Sequence, residues 1–222
     1  VTTILITGFE PFEQQEINAS WAAVRLVEDG WAEPGTTLVA RLLPVSFARA
    51  PEALAVLVAE VRPDLVLCVG EAGGRSAVGV ERVAVNVQDA RIPDEDGAQP
   101  VDVPVRAGGP AAYFSGLPVK ACLTAILDAG VPGEVSNTAG TYVCNTIAYA
   151  LADLLAPGGA AGAGAGSAGV RGGFVHVPRL PEQVAPGAAS LSAERSAAGL
   201  TAVLRAALAT TVDLRVAAGT LD

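Results

Sequence analysis

Five consecutive apolar residues, Leu65-Val66-Leu67-Cys68-Val69, present no polar face in either direction. An extended segment of that kind belongs where both sides of a sheet are covered, as in a parallel sheet with helices above and below it. Gly70-Glu71-Ala72-Gly73-Gly74-Arg75 follows as a glycine-rich loop. Loops at the carboxyl ends of such strands are where open α/β sheets bind ligands. The spacing of this one is neither a Walker nor a dinucleotide pattern, so it does not predict phosphate binding.

The remaining segments supply strands and helices in alternation. Residues 2–7 predict a central strand ended by Gly8, leading into Phe9-Glu10-Pro11-Phe12, two aromatics in a turn. Asn18 is placed as the N-cap of a helix over 19–29 closed by Gly30. A strand over 36–43 stops at Pro44, and Ser46 caps a second helix reaching about Val61. Residues 81–87 alternate as a strand that starts at Glu81 and puts Glu81, Val83, Val85 and Val87 on one side. The acidic, proline-bearing stretch 89–104 reads as turn and loop and contains Arg91. A helix over 119–129 carries Cys122 inward and ends at Gly130; residues 134–136 form a short strand, and 147–155 a buried helix. The run 157–169 is almost entirely glycine and alanine, which predicts a flexible surface insertion. Residues 173–178 return as a strand, and a last helix runs from Ser190 to about Ala209 with Leu191, Leu200, Leu204 and Leu208 inside. The pattern predicts an α/β fold: a single three-layer α/β/α domain over 1–222 with a mostly parallel, twisted central sheet.

Composition narrows the function. Hydrophobic residues make up 51% of the 222 and charged ones 17%, which fits a packed core and not a disordered chain. A net charge of −9 argues against nucleic acid and anionic membrane as partners. With no apolar run of membrane-spanning length and no basic leader before the first strand, a soluble cytoplasmic protein is expected. The three cysteines lack CxxC or Cys/His ligand spacing, so neither a disulfide framework nor a metal site is indicated, and no cofactor is called for.

Three polar residues then stand out. Cys144 follows the small, polar stretch Ser136-Asn137-Thr138-Ala139-Gly140-Thr141-Tyr142-Val143 and opens a helix, where unpaired N–H groups and the dipole favour a thiolate and can hold an oxyanion. His176, the sole imidazole, lies on a following strand. Glu81 shares an apolar face with valines. A thiol attacking an amide needs a partner to take its proton and deliver it to the leaving amine, and a carboxylate fixes that partner's tautomer. Blander readings stand beside these: a cysteine that only packs, and a solvated carboxylate at a strand's start. Cys68, inside an apolar strand, and Cys122, on an inward helix face, read as packing residues.

Six strings in order along the chain carry a resemblance: GFEPF at 8–12, VGEAGGR at 69–75, ERVAVN at 81–86, DARIPD at 89–94, SNTAGTYVCN at 136–145 and FVHVPRLPEQ at 174–183. The sequence is similar to the pyroglutamyl peptidase I (pyrrolidone-carboxylate peptidase) family, cysteine exopeptidases that remove an N-terminal pyroglutamyl residue from peptides. The resemblance implies a Cys–His–Glu triad at Cys144, His176 and Glu81, an oxyanion role for Arg91, substrate peptides blocked by pyroglutamate as partners, and a homotetramer. Pyroglutamate is a compact neutral lactam, so its pocket needs apolar walls and one donor–acceptor edge. Phe9 and Phe12 suit the walls, Asn18 and the backbone around Glu71 the edge, and Val143 the closing apolar side.

Two positions depart from the family pattern, which usually has glutamine where this chain has Glu71 and a glycine pair where it has Glu13-Gln14. If the side chain at 71 reads the lactam, an ionised Glu71 cannot donate to it and affinity falls. Two other readings stay open at this level: a glutaminase-like Cys–His amidohydrolase, and a non-catalytic small-ligand binding protein on the same scaffold.

Overall fold

The computed structural model describes residues 1–157 and 169–219. The Gly/Ala-rich run expected as an insertion lies, but for its two end residues, outside the described residues. The elements in chain order are β1 (Thr2–Phe9), α1 (Ala19–Gly30), β2 (Thr36–Leu43), α2 (Arg49–Val61), β3 (Leu65–Ala72), β4 (Val78–Glu81), β5 (Val83–Val85), β6 (Ala112–Phe114), α3 (Val119–Asp128), β7 (Gly133–Ser136), α4 (Val143–Leu155), β8 (Arg171–Pro178), a 3-10 turn (Pro181–Gln183) and α5 (Ala193–Ala209).

Six strands form the central sheet in the order β2-β1-β3-β8-β4-β7. All neighbours are parallel except β4 and β8, which run antiparallel. The apolar strand that opened the argument, β3, sits between β1 and β8 and is covered on both faces. Leu65, Leu67 and Val69 join Ile4 and Ile6 against α1, α3 and α5. Val66 and Cys68 join Leu5 against α2 and α4 through Leu54, Ile147 and Leu151. Burying each such aliphatic side chain contributes roughly 1.5–3 kcal/mol. The result is a single α/β/α domain with helices on both sides of a mostly parallel sheet. No described helix is long and apolar enough to cross a membrane.

Asn18 caps α1 as expected, its Oδ1 accepting from Ser20 N at 3.0 Å. Gly130, at φ +72°, ends the turn after α3. Three expectations shift. The strand expected over 81–87 is two strands: β4 ends at Glu81 in the central sheet, and β5 leaves it to pair antiparallel with β6. The valine alternation is real but belongs to a second, two-stranded sheet, so Glu81 closes a buried strand and does not begin an exposed one. β3 runs on through Ala72, which puts Gly70 and Glu71 on a strand and not in the loop. The last helix is capped by Ser192, whose Oγ accepts from Arg195 N at 3.4 Å, while Ser46 bonds Arg49 N just ahead of α2.

Candidate active site

The parallel register of β3 and β8 sets Gly70 beside His176, and alternation along β8 puts Phe174 on the same face as His176. The rings of Phe174 and His176 meet edge to face, 5.0 Å between centroids. Cys144, second residue of α4, brings its sulfur down onto this face. A Cβ placed on Gly70 would fall 2.8 Å from Cys144 Sγ and 2.8 Å from Phe174 Cζ. The sulfur thus occupies the space that the missing side chain of Gly70 leaves open, next to the strand that carries the imidazole.

β4 flanks β8 on the other side. Its last residue, Glu81, is 2% exposed and places Oε1 2.7 Å from His176 Nδ1. A carboxylate oxygen only accepts, so Nδ1 donates and Nε2 is left able to accept a proton. Arg75 Nη1 donates to the same oxygen at 2.8 Å.

The loop before α4 is fastened to the segment that carries Arg91. Thr141 Oγ1 donates to Asp89 O at 2.7 Å, Asp89 N to Thr141 O at 3.0 Å, and Tyr142 Oη to Pro93 O at 3.0 Å. Asn145 pins the first turn of α4 to β5, its Nδ2 donating to Val85 O and Val87 O and its Oδ1 accepting from Val85 N. These bonds set Arg91 at the rim of the cleft that Cys144 borders.

That cleft has a volume of about 410 Å³ and is lined by Cys144, Arg91, Phe9, Phe12, Asn18, Glu71 and Val143, with Tyr142 and Arg179 beside them. Phe12 is half-buried, its ring 5.7 Å from that of Tyr142, while Phe9 is 3% exposed and packs toward Phe174. His176 and Glu81 are both buried and do not line the cleft.

The chain matches the family model described as Pyroglutamyl peptidase over residues 2–210. The chain belongs to the pyroglutamyl peptidase family. Pyrrolidone-carboxylate peptidases of Cupriavidus pinatubonensis and Streptomyces coelicolor are each 50% identical to it, over 99% of both chains. Among solved structures, pyroglutamyl peptidase I from Bacillus amyloliquefaciens superposes with a TM-score of 0.90 at 38% identity, covering 97% of this chain and 99% of that one. The pyrrolidone carboxyl peptidase of Thermococcus litoralis gives 0.85 at 32% identity, covering 94% of each.

Within this family member, two positions expected to read substrate are already engaged. Asn18 donates from Nδ2 to Glu10 O at 3.0 Å, and its Oδ1 is used by the helix cap. Glu71 accepts from Arg179 Nε at 2.9 Å, Ala19 N at 2.8 Å and Gln183 Nε2 at 2.9 Å. Arg179 also reaches Glu13 at 3.4 Å, so the two acidic departures from the family pattern meet on one arginine.

The helix start that favours a thiolate at Cys144 is opposed by its surroundings in the folded chain. The residue keeps some exposure at the cleft, but its sulfur faces Gly70 and Phe174. Burial first, then the charges of Glu81 and Glu71, push the thiol up to about 12, against the opposing charge of Arg75. Burial likewise raises Cys68 and Cys122 to about 12. The unfolded chain ionises these thiols near pH 9.0, so above that pH it binds fewer protons than the native state. Stability is therefore fully present below about pH 9 and falls as pH climbs from there toward 12. Urea unfolding should show a midpoint that is level between about pH 8 and 9 and drops from there to about pH 10.5; a flat midpoint throughout would count against the burial of these thiols.

Gly70 gives a second expected result. Gly70→Ala forces the sulfur or the Phe174 ring aside, and displacements of this size cost about 10²-fold in rate. We expect turnover to fall by about that much and the melting temperature to drop with it, because the Phe174 ring is buried and has little room to give. Unchanged turnover would mean the sulfur does not work from where it rests.

Sequence reasoning missed Gly70, Arg75, Tyr142 and Arg179. Gly70 and Arg75 stood in a recognised string without a role, and only the strand register and the fold give them one.

Proposed function

We propose that this chain is a cysteine exopeptidase that hydrolyses the amide bond after an N-terminal pyroglutamyl residue. The observation that carries the reading is the buried His176–Glu81 pair on the sheet face where Cys144 Sγ rests, at the wall of an apolar cleft. Burial favours the protonated thiol, and attack begins when His176 Nε2 takes the Sγ proton. The thiolate adds to the scissile carbonyl. Arg91 and the N–H groups at the start of α4 receive the oxyanion, and His176 returns the proton to the leaving amine. The resulting thioester is hydrolysed by water that His176 activates in turn. Glu81 holds the ring in one tautomer and stabilises the imidazolium.

The lactam is set against Phe9, Phe12 and Val143. Because the carboxylate of Glu71 already accepts from three donors, its polar edge is read by backbone near Glu71 and not by that side chain. On this reading the exchange of the family's glutamine for Glu71 is offset by Arg179, and the pocket stays suited to a neutral ring. Asn18 acts by holding α1 in place. The same reading includes one cysteine-peptidase unit over 1–222, a homotetramer and a place in the cytoplasm.

Release of aminomethylcoumarin from its pyroglutamyl amide, dependent on thiol reductant, is the expected result. Ammonia release from glutamine without dye release would point to a glutaminase-like enzyme, and neither activity to a binding protein.

A further inference from the structure

Arg75 is the one cation in direct contact with the buried His176–Glu81 pair among the described residues, and nothing in the proposed chemistry has used it. Its Nη1 donates to Glu81 Oε1, the oxygen that faces His176. Glu81 Oε2 is buried and has no hydrogen-bond partner among the described residues. The carboxylate is therefore held by one oxygen between two donors. The other end of the guanidinium points to the nucleophile's loop: Nη2 donates to Thr138 O at 3.1 Å and to Ser136 Oγ at 3.4 Å. The path it takes is built for it. Arg75 crosses β4 over Gly79, where an added Cβ would come 2.6 Å from Nη1.

We propose that Arg75 is a positioning residue for catalysis: it fixes the rotation of the Glu81 carboxylate against His176 and ties that carboxylate to the loop bearing Cys144. The inference rests on the cysteine-peptidase reading above. A carboxylate without this second donor is an undercompensated buried charge, free to turn its unpartnered oxygen toward the ring. Acid, imidazole and sulfur come from three separate segments, and Arg75 is the side chain that bonds to the first and to the segment leading to the third.

The charges acting on the sulfur are Glu81 and Glu71, which push the thiol up, and Arg75, which opposes them, while Arg91 and Arg179 line the cleft beside it. Loss of Arg75 should therefore move the pH profile of Cys144 alkylation by iodoacetamide to higher pH.

The test is a double-mutant cycle on pyroglutamyl-coumarin hydrolysis. Arg75→Met should lower kcat by about 10²-fold with KM within about threefold, in the range of a disturbed general base. In a Glu81→Ala background, where no oxygen is left for Arg75 to orient, the same change should cost less than about fivefold, because residues that act as one unit are not additive. Arg75→Lys keeps the charge and should restore the alkylation profile while recovering kcat only in part. Gly79→Ala, which leaves Arg75 present but displaced, should give a milder version of the Arg75→Met loss. If Arg75→Met does not fold, Arg75→Lys and Gly79→Ala run the same cycle. Equal losses in both backgrounds, a rise in KM with kcat intact, or an unmoved alkylation profile would overturn the role. An inactive parent enzyme with Cys144 still reactive would overturn the activity reading instead, and the two failures are told apart by the parent alone.

Discussion

Cys144→Ser removes turnover of pyroglutamyl-coumarin by at least about 10⁴-fold, the scale seen when a covalent nucleophile is deleted from a triad. The hydroxyl fits the space above Gly70, so the cleft keeps its shape and a pyroglutamyl peptide binds with a Kd close to that of the parent. The loss should fall on kcat. Cys68→Ala and Cys122→Ala make the contrast. Both sulfurs are fully buried, Cys68 within β3 and Cys122 facing α5, where it lies 3.8 Å from Val203 O. Neither touches the cleft, so each variant should be less stable yet fully active once folded. Parallel kinetics and equilibrium binding on the three variants would check this. Activity surviving in Cys144→Ser would remove the nucleophile from the account.

The second large effect is at the imidazole. His176→Ala should cost about 10³- to 10⁴-fold in kcat, since no other histidine exists to take the proton. Glu81→Gln should cost about 10- to 10²-fold, less than the histidine, for a reason the geometry supplies. Both donors on Glu81, His176 Nδ1 and Arg75 Nη1, converge on Oε1. A glutamine that keeps its oxygen there still accepts from both and preserves the ring tautomer, so what is lost is the charge that steadies the imidazolium. The amide nitrogen then occupies the place of Oε2, which has no partner among the described residues, and some stability goes with it. Steady-state kinetics with both variants, compared at equal folded concentration, gives the ratio. Equal and mild effects would mean that the pair is structural.

Much of this architecture could be read from the chain because a few segments leave no choice. Leu65 to Val69 admit only a doubly covered strand, and β2 is bracketed by Gly35 and Pro44, so its ends are fixed locally. The three candidate catalytic residues were legible because their types are scarce: one histidine, a carboxylate in an apolar run, and a cysteine after a polar turn. What was not legible depends on partners far along the chain. The alternation of Val83 and Val85 reads on from Glu81 without a break, and only pairing with β6, three residues long, shows that the chain has changed sheets. Ser190 and Ser192 are equivalent in sequence as caps of the last helix, and the structure uses Ser192.

Distance in sequence also hid chemistry. Arg75 meets Thr138 across 63 positions, and Arg91 is held at the cleft by bonds between 89–93 and 141–142. What opposes a thiolate at Cys144 was hidden for the same reason. The favourable helix start is local and visible, whereas the burial that outweighs it comes from Gly70 and Phe174 on two other strands.

Everything proposed for the site turns on Cys144 attacking a carbonyl held in the cleft between Phe9, Phe12 and Val143. A chloromethyl ketone of pyroglutamate carries the recognition element and an electrophile in one molecule, and peptide mass spectrometry locates the bond it forms. The account predicts one adduct per chain, on Cys144, forming in step with loss of activity and slowed by free pyroglutamate. An adduct on Cys68 or Cys122, or inactivation with Cys144 unmodified, would contradict it.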